Sequence, residues 1–475
     1  MKIDSAAMTR GPIMKNIWLY TLPIIATGIL QLLFNAADLI VVGRAGGGSI
    51  SVAAVGATGS ITNLIVNLFI GLSLGVGVCV AQAAGANNPK KLHRIVHTAI
   101  PASFISGIVL TVFGAVFAEK FLMWMDTPDD VIGLSTTYMR IYFYGMTGSM
   151  VYNFGSAILR AVGDTKSPLY FLTAAGVLNV ILNLIFVICF HMDVAGVAIA
   201  TSVSQAVAAV LVLITLIHRT DYIKFSFKDM RIYKTELMQI IRFGVPAGIQ
   251  GSLFSISNVL IQSSVNSFGS VVMSGNASSQ NIEGFVYTAM NSFSQTSLNF
   301  TGQNHGAGLH KRIDKILAAC LLSVTLVGVV TGVGAYLAGD TLLRIYITDS
   351  AEAIMWGKVR LKYICLTYFL CGVMDVITGA LRGIGSSIMP MIITVAGVCG
   401  LRIVWIFTVF GSAKYHTLDC LYLSYPISWI VTLAIELVAF VIINHKLKEK
   451  EQGARSSEQG AVSVECGESQ TKIIR

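Results

Sequence analysis

Asp38 is the one charged residue between positions 17 and 42 of this chain, a stretch otherwise built from apolar and small side chains. A carboxylate at the depth of a lipid bilayer costs roughly 2.5 kcal/mol or more on insertion scales, so it is expected to face a cavity and to have a task. Gln31, Asn35 and Asp38 follow at i, i+4 and i+7, which places all three on one face of a helix. A second apolar stretch carries Asn179 and Asn183, again four apart. A lone acid among amides suits reversible binding of one small cation: a proton on the carboxylate, or a sodium ion held by Asp38 and neighbouring oxygens. The plainer alternative is that these polar groups only hydrogen-bond neighbouring helices together.

The second half of the chain is chemically different. Gln280, Glu283, Tyr287 and Asn291 lie in one apolar segment, the last three at four-residue spacing, and Asp375, Arg402 and Glu436 occupy three later segments. A buried arginine needs a partner, so Arg402 is expected to pair with Glu283 or Asp375. Gln31, Glu283, Tyr287, Asn291, Asp375 and Arg402 together are the candidate lining of a substrate cavity. Gly71-Leu72-Ser73-Leu74-Gly75 fits a nucleophile pattern, but that motif needs a strand-to-helix turn, and here it sits in a continuous apolar run. Close helix packing explains it better. No phosphate-binding loop, zinc-protease motif or metal-spaced Cys/His cluster is present, which argues against ATP hydrolysis and resident cofactors.

The elements that must position these residues are membrane helices. Of the 475 residues 54% are hydrophobic and 12% charged, against roughly 25% charged in soluble domains. Apolar runs place twelve spans near 13–42, 52–80, 95–117, 133–157, 168–190, 194–217, 237–265, 273–300, 314–337, 355–380, 388–411 and 420–444. The first is too long for the apolar part of a cleaved signal. Lys and Arg collect in every second loop, at Lys90, Lys91 and Arg94, Arg160 and Lys166, the stretch from Arg219 to Lys234, Lys311 to Lys315, Arg382 and Lys446 to Lys450. The intervening loops are mainly acidic, apart from Arg44, Lys120, Arg344, Lys414 and a cluster near Lys358. By the positive-inside rule both termini are cytoplasmic, and the formal charge of +9 reflects this loop bias rather than nucleic-acid binding. The eight cysteines are scattered and read as packing residues.

The chain also repeats itself. Gln82, Gly85 and Lys90 realign with Gln303, Gly306 and Lys311, Pro23 with Pro246, Asn35 with Asn258, and Leu159-Arg160-Ala161-Val162-Gly163 with Leu381-Arg382-Gly383-Ile384-Gly385. Both halves start on the same side, so they are parallel repeats facing each other across a cleft. The expected fold is therefore an all-α integral membrane protein: an N-lobe of helices 1–6 over residues 1–217, a linker over 218–236, a C-lobe of helices 7–12 over 237–445, and a disordered cytoplasmic tail over 446–475.

Phe34-Asn35-Ala36-Ala37-Asp38, Ala54-Val55-Gly56-Ala57-Thr58-Gly59, Ala81-Gln82-Ala83-Ala84-Gly85, Leu178-Asn179-Val180-Ile181-Leu182-Asn183, Val194-Ala195-Gly196-Val197-Ala198-Ile199-Ala200-Thr201 and Gly302-Gln303-Asn304-His305-Gly306 resemble motifs of the multidrug and toxic compound extrusion (MATE) transporters, bacterial NorM/DinF-type branch, over roughly residues 12–445. That resemblance implies a two-lobed exporter of organic cations or amphiphiles in the bacterial cytoplasmic membrane, working by antiport with H+ or Na+. It implies ion coupling at Asp38, with Asn35, Asn179 and Asn183 around it, and a bend of the first helix at Pro23. Many relatives have Asp where this chain has Asn183, which leaves one acid rather than two in the N-lobe. The implied partners are small amphiphilic or cationic substrates and membrane lipids, with a monomeric chain, no enzymatic activity and no nucleic acid. Three rivals stand beside this reading. A lipid-linked oligosaccharide flippase of the same superfamily would need a large cationic cavity. A major facilitator transporter would carry a loop motif that is absent here. A membrane enzyme would need a compact reactive constellation, and none is seen.

Overall fold

The computed structural model describes residues 8–125, 127–347 and 350–471, with side chains described except at 49, 60 and 450–471. Among the described residues there is no strand, and twelve helical spans follow one another. They are α1 (Ile13–Ala45), α2 (Ser49–Gly85), α3 (Pro89–Trp124), α4 (Asp129–Tyr144 continued by Met146–Ala161), α5 (Lys166–Cys189) and α6 (Asp193–His218). After the linker come α7 (Lys234–Asn266), α8 (Ser270–Gly306), α9 (His310–Leu337), α10 (Ala351–Gly383), α11 (Ile388–Phe410) and α12 (Leu418–Thr471). A short helix, Gly339–Tyr346, joins α9 to α10.

Ten of these spans are long and apolar enough to cross a bilayer on composition alone. The two others show why composition undercounts. α4 breaks at Gly145 into two 16-residue pieces, and α8 is studded with Ser, Thr, Asn and Gln that face other helices instead of lipid. Local signals set the ends: Asn88 accepts the Lys91 amide at 3.0 Å to cap α3, with Pro89 in its first turn, and Ser350 caps α10 through the Ala353 amide at 3.1 Å. α12 runs on into the segment expected as a tail from 446, as far as Thr471, and 472–475 lie outside the described residues. His445 Nδ1 and Glu449 Oε1, one helical turn apart, lie 3.3 Å from each other, and Lys448 bonds Asp314 of α9, so the sequence just past the membrane supports a helix.

Each half has its own core. One cluster joins α2, α3, α4 and α6 around Ile95, Leu110, Phe143 and Phe154, and another joins α8, α9 and α10 around Met290, Phe293, Phe300 and Ile377. The first helix of each half crosses over. Ile17, Tyr20 and Ile24 of α1 belong to the second cluster, whereas Ile240 of α7 belongs to the first. Pro23 lies within this crossing part of α1, and Pro246, its repeat counterpart, six residues beyond Ile240 in α7.

The halves touch most closely where α2 meets α7. A side-chain carbon on Gly75 would come within 2.7 Å of the Gly244 nitrogen, and one on Gly71 within 2.5 Å of the Gly248 Cα. Only glycine permits that approach, so the Gly71–Gly75 pattern is a helix-packing device, and Ser73 spends its hydroxyl on the Ile70 carbonyl at 2.7 Å. Past this approach Ser252 Oγ of α7 still donates to the Leu64 carbonyl of α2 at 2.9 Å. A polar cleft of about 480 Å³ opens there between α2, α7 and α8, lined by Asn63, Ser255, Asn258, Gln262, Asn266 and Gln280. The described N-terminal residues and the Lys446–Glu449 turn lie at the opposite, closed end, with the basic loops.

Candidate functional site

In the first half, α1 is drawn against α5 at Gly176, where any side chain would overlap the Phe34 ring. One turn further along, Asp38 faces α5 and α6. Asn183 Nδ2 donates to Asp38 Oδ1 at 2.5 Å and Thr201 Oγ1 donates to Asp38 Oδ2 at 3.2 Å. Asn179 closes the ring, its Nδ2 donating to Thr201 Oγ1 and its Oδ1 accepting from Asn183 Nδ2, both at 3.2 Å. A π turn, Leu184–Cys189, begins directly after Asn183 and widens α5 beside the acid.

Two properties of this cluster bear on what it can bind. Among the described residues no Lys, Arg or His pairs with Asp38. In addition, Asn183 Oδ1 is buried with no donor, an acceptor left open beside a carboxylate. Such an arrangement can hold one monovalent cation: a proton, or an ion coordinated by Asp38 and amide oxygens. Three of the expected residues, Asp38, Asn179 and Asn183, are thus brought together. Asn35 and Gln31 are exposed and form no side-chain hydrogen bond. Thr201 was missed as a site residue; its signals were a hydroxyl among Ala, Val and Gly and its place at the end of the Val194–Thr201 motif.

The second half corrects an expectation. Glu283 pairs with Arg360 of α10, and Arg402 pairs with neither acid. Arg360 Nε and Nη2 each reach a Glu283 carboxylate oxygen at 2.8 Å, and Nη1 reaches Asn276 Oδ1 at 2.7 Å. Tyr422 also donates to Asn276 Oδ1, at 3.1 Å. The reason is geometric: Asn276 and Glu283 lie seven apart on one face of α8, and that face looks at α10. Arg402 instead faces α12, with Nε on Ser428 Oγ at 2.9 Å and its guanidinium 4.1 Å above the Tyr425 ring. Its Nη2 has no partner. The quadrupoles of Tyr425 and Trp429 offset part of the cost of that buried charge.

Asp375 faces Tyr287, Asn291 and Arg382, and the Tyr287 ring begins a stack that continues through Tyr368 to Trp429. Glu436 accepts the hydroxyls of Thr378 and Thr394, each at 2.8 Å on Oε1. Asp375, Trp429, Glu436, Thr378 and Thr394 are buried between helices, Asn291, Tyr368 and Arg382 are half-buried, and Tyr287 is exposed. The wall of the open cleft is formed by amides and hydroxyls, among them Gln280, which bonds Gln262 at 3.2 Å.

A MatE family model matches residues 23–185 and 246–408, one copy in each half. A probable multidrug resistance protein of Bacillus subtilis, YoeA, is 27% identical over 90% of this chain and 93% of its own length. A second from the same organism, YpnP, is 29% identical over 83% of this chain and 88% of its own. Among solved structures, a MOP-superfamily transporter from Pyrococcus furiosus superposes with a TM-score of 0.88 at 19% identity, covering 94% of this chain and 99% of that one. Two matched copies of one model, on two six-helix halves, account for the repeat read from the sequence, and the chain belongs to the MatE family of multi-pass membrane transporters.

Proposed function

We propose that this protein is a secondary active multidrug exporter in which binding of one monovalent cation, a proton or a sodium ion, at Asp38 drives release of an amphiphilic or cationic substrate from between the lobes. The observation that carries this reading is the Asp38–Asn183–Thr201–Asn179 ring, a carboxylate without a cationic partner that accepts from Asn183 and Thr201, both braced by Asn179, at the junction of α1, α5 and α6. The names borne by relatives that match nearly end to end, multidrug resistance proteins, support the substrate class. With the basic end in the cytoplasm of a bacterial inner membrane, the cleft lined by Asn63 and Asn258 opens outward, and the closed α2–α7 contact blocks the way in.

The flippase rival is less favoured. Its pyrophosphate-bearing cargo calls for free cationic groups along the cleft, whereas Arg360, Arg382 and Arg402 are all engaged with protein groups. Two gradients discriminate the coupling ions. Purified protein in vesicles loaded with a cationic dye is expected to move dye against its gradient when a proton gradient, or alternatively a sodium gradient, is imposed. Dye movement under neither gradient would overturn the exporter reading.

A further inference from the structure

The residues that the repeat pairs in sequence meet again in space at the closed end. Gln82, in the last turn of α2, donates from Nε2 to the Gly383 carbonyl of α10 at 2.8 Å. Its counterpart Gln303, in the last turn of α8, donates from Nε2 to the Ala161 carbonyl of α4 at 2.7 Å. Ala161 and Gly383 are themselves counterparts, the third residues of Leu159-Arg160-Ala161-Val162-Gly163 and Leu381-Arg382-Gly383-Ile384-Gly385. Each lobe therefore reaches across and fills the equivalent position on the other.

The local structure explains why that carbonyl is the target. Both helices end in the same cap, with glycine in the left-handed region at φ 98° for Gly163 and 91° for Gly385. In the first, Gly163 N bonds Arg160 O and Asp164 N bonds Leu159 O; in the second, Gly385 N bonds Arg382 O and Ser386 N bonds Leu381 O, all at 2.9 Å. No backbone donor in either cap reaches Ala161 O or Gly383 O. A last-turn carbonyl left open in this way also sits at the negative end of its helix dipole and attracts an N–H from outside. Three residues after each glutamine stands a glycine. A side chain on Gly85 would strike the Gln303 carbonyl, and one on Gly306 would strike the Gln82 carbonyl and crowd the Ala86 nitrogen at 3.0 Å. The two Gln-x-x-Gly turns thus lie directly on each other about a pseudo-twofold axis.

We propose that Gln82 and Gln303 are paired gate residues: their reciprocal bonds to the Gly383 and Ala161 carbonyls hold the basic end of the two lobes shut, and both bonds break together when that end opens. The proposal rests on the reading of the chain as an alternating-access transporter. Symmetry is what couples the two bonds, because parting Gln82 from Gly383 requires the lobes to separate about the same axis that parts Gln303 from Ala161. Once apart, all four groups lie near water and can be hydrated. A bond exchanged for water in this way shifts an equilibrium by roughly 3- to 10-fold, so one bond is weak enough to open and two bias the closed state by roughly 10- to 100-fold.

Hydrogen–deuterium exchange on the full chain in lipid nanodiscs, without substrate, tests this. Gln82→Leu removes the donor, and Gln82→Glu keeps the length of the side chain while replacing the N–H group; Gln303→Leu and Gln303→Glu do the same in the other half. The expected result is faster exchange, by roughly 3- to 10-fold, at the caps of both α4 (162–166) and α10 (384–388) in every single variant. The double variant is expected to give roughly 10- to 100-fold. Faster exchange confined to the mutated helix and the carbonyl it touched would overturn the proposal, because a local packing role does not reach the second bond. Unchanged exchange would overturn it as well. Gradient-driven dye transport by the wild-type protein, measured separately, reports on the transporter reading: unchanged exchange with intact transport removes the latch alone, while the expected exchange without any transport leaves the latch standing and removes the exporter.

Discussion

Replacing Arg360 by methionine while Glu283 stays in place would leave a carboxylate buried with neither of its charged donors. The structure sets the size of the effect. Arg360 is 4% exposed and Glu283 5%, and the guanidinium makes three hydrogen bonds of 2.7 to 2.8 Å, two to the acid and one to Asn276. Breaking a buried pair from one side costs about 3–5 kcal/mol, because the surviving charge keeps its desolvation penalty and loses its compensation. Arg360→Met is therefore expected to lose about 3–5 kcal/mol of folding stability, and Glu283→Gln a similar amount. Their combination is expected to lose less than either, since no uncompensated charge remains. Equilibrium unfolding of the four proteins in mixed micelles reads this as a double-mutant cycle whose coupling exceeds either single loss, about 3 kcal/mol or more. Additive losses would refute the reasoning and would mean that the two side chains act separately.

Arg402→Met is expected to behave in the opposite way: its charge is met by Ser428 and by ring faces, and Nη2 is already without a partner, so stability measured by the same unfolding assay should change by less than about 1 kcal/mol. Gly75→Leu drives a branched side chain into the α7 backbone at Gly244, where even a Cβ would come within 2.7 Å. Overpacking of this kind costs about 1–3 kcal/mol or more, and thermal unfolding of the purified protein should show the loss, while Gly56→Leu, at a position with open space, should not.

Much of the architecture was legible because a bilayer imposes simple constraints. Twelve apolar runs, basic clusters in alternate loops and the pairing of Gln82 with Gln303 were enough for twelve helices in two related halves. What was not legible is what happens between helices. The break at Gly145, the crossing of α1 and α7 into the opposite lobes, and the π turn after Asn183 depend on neighbours that a single strand of residues does not name. The same limit explains the site. Periodicity placed Asn179 and Asn183 on one face, and depth singled out Asp38, but Thr201 carries neither charge nor amide to draw attention. Arg360 lay between Lys358 and Lys362 and was read as part of a surface cluster, whereas its own side chain turns inward to Glu283. Spacing along a helix tells which face a residue occupies; it does not tell which helix that face meets.

Gradient-driven transport by Asp38→Asn is the most direct test of the central claim. The amide keeps the size of the side chain and can still bond Asn183 and Thr201, so the protein is expected to fold and insert as the wild type does. What it lacks is the single charge proposed to bind the cation. In proteoliposomes with a cationic dye inside and the driving gradient imposed, the account predicts that wild-type protein moves dye uphill and that the variant does not. Uphill transport at the wild-type rate by Asp38→Asn would contradict it.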